Sequence, residues 1–246
     1  MSNSSKSPFT HAMILAAGRG ERMRPLTDTT PKPLLMAGGK RLIEWQIERL
    51  VTAGVQHIVI NHAWLGEQFA ATLGDGGRYG CTLHYSAETT ALETAGGIAK
   101  ALPLLGTDQA ARHTDSVRAE VAKPFIVVSG DIYCDFDYRS LPNDLGAHAA
   151  HLVLVPNPDY NPNGDMGMVG SLISPNTAPR LTYANIGVFQ PSVFTNLEAG
   201  AKLKLFPWLY EQGTISGQLF NGVWHNVGTP AQLAALEQGL EQGLAQ

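Results

Sequence analysis

The chain has 246 residues, of which 44% are apolar and 15% are charged, and its formal net charge is −4. These values are typical of a soluble globular protein with one sizeable core, and they argue against a general nucleic-acid binder, which is usually basic. Residues 1–11 are polar and lack the apolar centre of a signal peptide, and no apolar run reaches membrane-spanning length. With two cysteines in unrelated contexts, we expect a cytoplasmic protein without a membrane or nucleic-acid partner.

Apolar strands alternate with amphipathic helices in the first half of the chain. In chain order, the predicted strands are 12–16, 55–60, 81–86 and 125–129, and the predicted helices are 42–53, 64–73 and 97–102. Strands that alternate with helices at this spacing form βαβ units, so we expect an α/β fold with a mostly parallel sheet. Residues 106–123 are polar and charged and predict a surface insertion, and residues 1–11 predict a flexible leader.

The last hundred residues predict more antiparallel pairing. Strands are expected at 151–155, 168–173 and 181–189, and a hairpin at 216–227 with Asn221-Gly222 as its type I′ turn. Thr229 is the expected N-cap of a final helix, with Pro230 as its first residue.

The first predicted strand runs into a glycine turn that carries positive charge. Gly18 and Gly20 allow backbone N–H groups to approach a ligand closely, and Arg22 and Lys32 follow within a few residues. Guanidinium and ammonium groups beside such a turn suit a polyphosphate. The segment lacks the third glycine of a dinucleotide fingerprint and the G-K-[ST] end of a Walker A loop, which disfavours both of those sites.

Asp131 is the candidate metal ligand. It follows the buried strand predicted at 125–129, and open α/β sheets bind ligands at the carboxyl ends of their strands. Mg²⁺ takes one or two carboxylates together with phosphate oxygens and waters. A simple turn residue is the alternative for Asp131, and it fits the neighbouring Asp135 and Asp137 better.

Residues 15–27 and 31–34 resemble the signature of the sugar-1-phosphate nucleotidyltransferases, L-A-A/G-G-x-G-x-R-[LM]-x-P-L-T followed by P-K-P-[LM]. Similar segments at 60–66, 92–98, 129–131, 152–155 and 227–229 extend the likeness over nearly the whole chain after residue 11, apart from the insertion. The resemblance implies a Rossmann-like, GT-A-like fold: a mixed, mostly parallel sheet flanked by helices. It further implies one domain over 12–246, with a nucleotide-binding half at 12–150 and a more antiparallel, sugar-binding half at 151–246.

The resemblance also implies the reaction. A nucleotidyl group passes from a nucleoside triphosphate to a sugar 1-phosphate, pyrophosphate is released, and Mg²⁺ is the cofactor. The implied substrates are UTP and N-acetylmuramic acid 1-phosphate, as in peptidoglycan recycling, and the chain is expected to be a monomer or a small homo-oligomer. Three alternatives stay open: GTP with mannose 1-phosphate, UTP or dTTP with glucose 1-phosphate, and a non-catalytic nucleotide-sugar binder.

Residue roles follow from the same resemblance. Arg22 would hold the β- and γ-phosphates, and Lys32 would reach the α-phosphate or the incoming phosphate, so these two are the implied catalytic residues. The implied nucleotide contacts are Ala16, Ala17, Gly18, Gly20, Arg22, Lys32, Glu93, Thr94 and Gly96. The implied sugar contacts are Asp165, Asn185 and Lys204, with Lys202 as an alternative to Lys204.

Asn226 marks a departure from the family pattern. The family carries a second metal-binding aspartate in a W-x-D-V-G-T segment, and this chain has Asn226 at that position. The implied metal ligands are therefore Asp131 and Asn226. An amide oxygen can coordinate Mg²⁺ but brings no negative charge, so we expect weaker metal binding. A tolerated natural variation, an engineered substitution and a weakly active protein all remain compatible with this residue.

Overall fold

The computed structural model describes residues 9–106, 123–198 and 200–243. The first half contains the strands β1 (His11–Leu15), β2 (Met36–Ala37), β3 (Lys40–Arg41), β4 (His57–His62), β5 (Thr82–Ala87), β6 (Phe125–Ser129) and β7 (Ile132–Cys134). Its helices are α1 (Leu42–Thr52), α2 (Glu67–Leu73) and α3 (Glu93–Ala101). The second half contains β8 (Ala150–Val155), β9 (Met166–Val169), β10 (Leu172–Ser174), β11 (Arg180–Phe189), α4 (Leu205–Gln212), β12 (Ile215–Leu219), β13 (Trp224–Asn226) and α5 (Pro230–Glu241).

Within the described residues, nine strands form one mixed sheet in the order β5-β4-β1-β6-β11-β8-β12-β10-β9. The strands β5, β4, β1 and β6 are parallel, as βαβ units require, and β11 then pairs with β6 in the antiparallel sense. Because these four parallel strands point the same way, their carboxyl ends lie at one edge of the sheet. At that edge Leu15 is in register with Asn61 on one side and with Ser129 on the other.

The second half of the sheet closes on itself. The strand β9 pairs with β10 and also with β11, so β11, β8, β12, β10 and β9 form a continuous ring of strands. A register shift interrupts β11 between Tyr183 and Gly187, which is the signature of a β-bulge.

Helices cover both faces of the parallel part of the sheet. Successive side chains of a strand point to opposite faces, so Ala12 and Ile14 pack with the core under α1 and α2, whereas Met13 packs with the core under α3 and α4. A third, smaller core joins the glycine-turn segment, β7 and α5, through Met23, Tyr133 and Leu236 among others. This third core holds the end of β13 beside the segment that follows β6.

Two expectations for the second half were wrong. Residues 216–227 do not form a hairpin: β12 pairs with β8 and β10, whereas β13 pairs with β7 in a separate two-stranded sheet. Contacts with distant residues explain the difference. The ring of Phe220, directly after β12, lies edge-on against Phe136 at 5.1 Å, and Trp224 Nε1, at the start of β13, donates to the Ala184 carbonyl at 2.9 Å. The single strand expected at 168–173 is a hairpin, β9 and β10, that turns at Gly170, where φ is +59°.

The remaining expectations for local structure agree closely with the structure. The strand β6 and the start of α1 lie at their predicted positions, and the Thr229 side chain accepts a hydrogen bond from Gln232 N at the start of α5. The helix expected at 97–102 begins four residues earlier, at Glu93. Residues 1–8 of the predicted leader and 107–122 of the predicted insertion lie outside the described residues. None of the described helices has the length and apolar character needed to cross a bilayer.

Candidate active site

A cleft of about 390 Å³ opens at the carboxyl ends of β1, β4 and β6. The neighbouring residues Leu15, Asn61 and Ser129 contribute to its wall. The other residues that line it are Ala16, Ala17, Gly18, Lys32, Pro33, Glu88, Ala91, Glu93, Thr94 and Asp131. The structure therefore brings most of the expected nucleotide contacts together with the expected metal ligand.

Lys32 and Asp131 form an ion pair in this cleft. Their side chains are only 16% and 20% exposed, so water screens the pair less than it would at the surface. Asp131 directly follows the Gly130 turn after β6, and the Gly130 N–H donates to Leu15 O at 2.9 Å, which fixes the turn to the end of β1. The pair thus sets a positive and a negative group side by side, one suited to phosphate and the other to a cation.

The glycine turn packs closely against Thr27 and Lys32. Gly20 has a φ of +67°, and a side chain there would come within 3.0 Å of Thr27 Cγ2 and 3.2 Å of Lys32 Cβ. The Thr27 hydroxyl donates to the Gly20 carbonyl at 2.8 Å, and Trp64 Nε1 donates to the Thr27 carbonyl at 3.0 Å. Gly20 is required at this point because only a residue without a side chain fits both the backbone angle and the space.

Arg22 lies away from the cleft wall, beside the segment that follows β13. It is exposed, and a methyl group added to Gly228 would come within 3.1 Å of Arg22 Nη2. The Gly228 N–H donates to Gln232 Oε1 at 2.8 Å, so this segment is anchored to α5. Arg22 is therefore near Asn226 rather than beside Ala16–Gly18.

Tyr160, which was not selected from the sequence, lies among the expected phosphate and metal ligands. Burial raises the pKa of its phenol most, and nearby Asp131 and Asp165 raise the pKa further. A hydrogen bond with the Asn226 side chain and the charge of Arg22 lower the same pKa. Four of the expected site residues therefore act on one hydroxyl, although Tyr160 itself is 51% exposed.

Asp131 and Asn226 are brought together by the pairing of β7 with β13. Ile132 is in register with Asn226, and the Val227 N–H donates to the Asp131 carbonyl at 2.9 Å. In the part of the chain that the structure describes, no group of three or more His, Cys, Asp or Glu side chains could hold a metal ion. One carboxylate and one amide oxygen fit Mg²⁺ that takes its remaining ligands from phosphate oxygens and water.

A buried polar network supports the opposite wall of the cleft. Asn61 Oδ1 accepts from the Ala16 N–H at 2.9 Å, and Asn61 Nδ2 donates to Glu88 Oε1 at 2.7 Å. The second oxygen of Glu88 accepts from the Leu92 N–H at 2.9 Å. Asn61 and Glu88 are 3% and 5% exposed, so the network ties the end of β1 to the start of α3 inside the protein. Neither residue was selected from the sequence. The signal used for Asp131, a polar residue directly after an apolar strand, also applies to Asn61, which follows the strand predicted at 55–60.

Glu93, Thr94 and Gly96 occupy the first turn of α3 in different surroundings. Glu93 has a φ of +62°, which is uncommon for a residue with a side chain, and with Thr94 it lines the cleft. Gly96 is buried, and a side chain there would overlap the carbonyl of Ala201. The structure therefore does not bring Gly96 to the cleft wall; its small size allows α3 to pack against residues 201–203.

A second cavity of about 250 Å³ adjoins the first and shares Leu15, Glu93, Thr94 and Ser129 with it. Its other wall consists of Tyr183, Asn185, Lys204, Leu205, Phe206 and Pro207. Asn185 has a φ of +58° and lies in the bulge of β11. Two of the three expected sugar contacts, Asn185 and Lys204, thus line one cavity.

Asp165 lines neither cavity. Its carboxylate accepts from the Tyr183 N–H at 2.8 Å and from Asn161 Nδ2 at 3.1 Å. Both oxygens are therefore used in holding the loop before β9 against β11. Its contact with a ligand stays a prediction.

Comparison with known protein families identifies the family of this chain. The model of the nucleotidyl transferase family matches residues 11–243. The chain belongs to this family.

Two curated nucleotidyl transferases illustrate its range. An N-acetylmuramate alpha-1-phosphate uridylyltransferase of Neisseria meningitidis serogroup B is 48% identical over 236 residues, which cover 90% of this chain and 94% of the relative. A mannose-1-phosphate guanyltransferase of Candida albicans is 30% identical and covers 89% of this chain. The chain spans only 61% of the Candida protein, so that relative carries a large additional part.

Solved structures agree on the fold. The inositol-1-phosphate CTP transferase from T. maritima superposes with a TM-score of 0.73 at 16% identity and covers 98% of this chain and 100% of its own. HddC from Yersinia pseudotuberculosis gives a TM-score of 0.72 at 19% identity and covers 96% of this chain and 100% of its own. These comparisons confirm the predicted family and the GT-A-like, Rossmann-type fold.

Proposed function

We propose that this nucleotidyl transferase moves a uridylyl group from UTP to N-acetylmuramic acid 1-phosphate, with Mg²⁺ as its cofactor and in the cytoplasm, as in peptidoglycan recycling. The observation that carries the proposal is the Lys32–Asp131 pair in a cleft that shares one wall, Leu15, Glu93, Thr94 and Ser129, with a second cavity. One cavity can take a nucleotide while the other takes a sugar, and the reacting phosphates meet between them. The 48% identity to a uridylyltransferase supports the choice of substrates.

The nucleotide is assigned to the larger cleft. The backbone of Ala16, Ala17 and Gly18 would face the base from one side, with Glu93 and Thr94 on the other. Glu88 adds a carboxylate to this wall that is held in a fixed orientation by Asn61 and the Leu92 N–H. A carboxylate accepts hydrogen bonds only, so it favours a base that presents an N–H group at this point.

The chemistry requires charge neutralisation and positioning rather than a covalent intermediate. An oxygen of the sugar phosphate attacks the α-phosphorus, and the bond from that phosphorus to the β-phosphate bridging oxygen breaks as pyrophosphate leaves. Lys32 would neutralise charge on the α-phosphate or the incoming phosphate, and Arg22 would hold the β- and γ-phosphates of the leaving pyrophosphate. These roles use the Lys32 ammonium, which is paired with Asp131 in the cleft, and the exposed Arg22 guanidinium beside Gly228.

Asp131 and Asn226 would hold the cation. When bound, Mg²⁺ would offset negative charge on the phosphate oxygens. Asp131 would leave its contact with Lys32 partly or wholly for the cation, which frees the Lys32 ammonium for phosphate. Because Asn226 adds no charge, we expect half-saturation at a higher Mg²⁺ concentration than in an Asn226→Asp variant.

The test is a grid of pyrophosphate release. UTP, GTP and dTTP are each combined with the 1-phosphates of N-acetylmuramic acid, mannose and glucose, with and without Mg²⁺. We expect the highest kcat/KM with UTP and N-acetylmuramic acid 1-phosphate and no measurable rate without the cation. Fastest turnover with GTP and mannose 1-phosphate would replace the proposed substrates by those of the guanyltransferases.

The variants Lys32→Ala and Asn226→Asp test the assigned residues and the non-catalytic alternative. Loss of the Lys32 cation should lower kcat by about 10²-fold or more with little change in the thermal midpoint. A wild-type protein that binds UTP but turns over only after Asn226→Asp would identify a binding protein instead of an enzyme.

A further inference from the structure

The second cavity is electrostatically uneven. Among the residues that line it, Lys204 is the only cation, and Glu93, on the wall shared with the larger cleft, is the only anion. Lys204 is exposed and forms no ion pair within the described residues, whereas Lys202, two positions earlier, does not line the cavity. The cation of this cavity therefore has no ion-pair partner among the described residues, and it belongs to the part of the wall that the larger cleft does not share.

The geometry of the two cavities orients an acceptor sugar. Its phosphate must reach the α-phosphorus near Lys32 and Asp131. The sugar ring must therefore lie beside Thr94 and Ser129, which line both cavities. The ring substituents then extend into the second cavity. Glu93 would repel a negatively charged substituent at the shared wall, whereas Lys204 would attract one at the wall that belongs to the second cavity alone.

The surroundings of Lys204 strengthen its effect on a bound anion. It is the N-cap residue of α4, and its own side chain makes no cap hydrogen bond to the first-turn N–H groups of that helix. The rings of Tyr183 and Phe206 pack edge to face at 5.1 Å and form an apolar wall beside it. A bound sugar would exclude water against this wall, which reduces the screening of a charge pair.

We propose that Lys204 binds a carboxylate on the acceptor sugar and thereby selects an acidic sugar 1-phosphate over its neutral counterpart. The inference rests on the proposed function, since it assumes that the acceptor occupies the second cavity. In N-acetylmuramic acid 1-phosphate, the carboxylate is that of the lactyl ether. N-acetylglucosamine 1-phosphate is the matched neutral substrate, because it differs only in lacking that group.

The experiment compares kcat/KM for these two sugar phosphates, with UTP, in the wild type and in Lys204→Gln, Lys204→Arg and Lys202→Gln. We expect Lys204→Gln to reduce the preference for the acidic sugar by roughly tenfold, chiefly through KM. Lys204→Arg should retain most of the preference, because the charge remains. Lys202→Gln is the matched control for removing one nearby positive charge and should leave the preference unchanged.

Two results would overturn the inference alone. An unchanged preference in Lys204→Gln shows that another group reads the carboxylate, and an equal loss with both sugars shows that Lys204 serves the common phosphate. A wild-type protein that uses neither sugar phosphate with UTP refutes the proposed function itself, before any variant is compared. Equal thermal midpoints of the four proteins confirm that folding does not account for the differences.

Discussion

Replacing Asn61 by Ala should weaken both the fold and the nucleotide cleft. The Asn61 side chain makes two buried hydrogen bonds: one from the Ala16 N–H and one to the Glu88 carboxylate. Truncation leaves both groups without that partner. Ala16 is the first residue after β1, and Glu88 follows β5, so the change loosens the wall of the cleft at two points.

The expected cost follows from the two groups that lose a partner. A buried hydrogen bond between neutral groups contributes about 0.5–1.5 kcal/mol, and one to a charged group about 1.5–3 kcal/mol, which gives roughly 2–4.5 kcal/mol in all. Asn61 and Glu88 line the cleft, so water can partly replace the lost amide. We therefore expect the free energy of unfolding to fall by about 2–3 kcal/mol.

Urea unfolding followed by circular dichroism measures this change, and a titration with UTP measures the accompanying loss of affinity. The matched control is Asn221→Ala, because Asn221 is exposed in the turn after β12. Its free energy of unfolding should stay within about 0.5 kcal/mol of the wild type. A fall of less than about 1 kcal/mol in Asn61→Ala would refute the assignment of these hydrogen bonds as supports of the cleft.

Three further predictions concern packing and charge away from the reacting phosphates. Gly96→Ala should destabilise the protein by more than about 2 kcal/mol in urea unfolding, because the added methyl group overlaps the Ala201 carbonyl; a change within 0.5 kcal/mol, as for the usual surface substitution, would contradict it. Arg49→Met should keep the wild-type stability within about 1 kcal/mol or raise it, since the buried Arg49 Nε has no hydrogen-bond partner in the described residues; a loss above about 2 kcal/mol in the same assay would show that the guanidinium is needed. The free energy of unfolding should fall as pH drops below about 6.5, because burial first and the neighbouring His57 second lower the pKa of His84 in the folded state. A group with a lowered folded-state pKa contributes its full stability above the unfolded pKa and loses it as pH falls, so His84→Gln should show a shallower fall than the wild type between pH 7 and 5; parallel curves would rule out the histidine as a source.

The local pattern of apolar residues predicted those strands and helices whose position depends only on which of their faces are buried. The first four residues of β6 are apolar because both faces of the strand are covered, so its bounds could be read directly from the sequence. The helix α1 buries one side against the sheet, and its apolar spacing is correspondingly helical. The glycine turn and Asp131 were found for the same reason: each follows a strand whose position the pattern fixes. Lys32 was selected by its charge near the turn and by the resemblance of residues 31–34 to the family signature.

Long-range pairing could not be read in this way. The strands β12 and β13 have the alternation and the Asn-Gly turn of a hairpin, but their partners, β8 and β7, are distant in the chain. Alternation specifies which face of a strand is buried and not which strand lies beside it. The buried role of Gly96 was hidden for a related reason, since its contact at Ala201 belongs to a segment about a hundred residues away.

Adjacent strands of one sheet carry the walls of both cavities. Ile186 is in register with Val128, so Asn185 lies across from Ser129 at the end of β6. Tyr183 and Asn185 both line the second cavity, whereas Ala184 and Ile186 pack in the core on the other face of β11. Alternation along the strand therefore continues through the irregular register and places Asn185 in the cavity wall. Leu15 and Ser129, at the ends of β1 and β6, line both cavities, and Asn185 on the adjacent β11 lines the second. Hydrogen-bonded strands therefore fix the wall between the two cavities, which favours a fixed placement of two bound substrates.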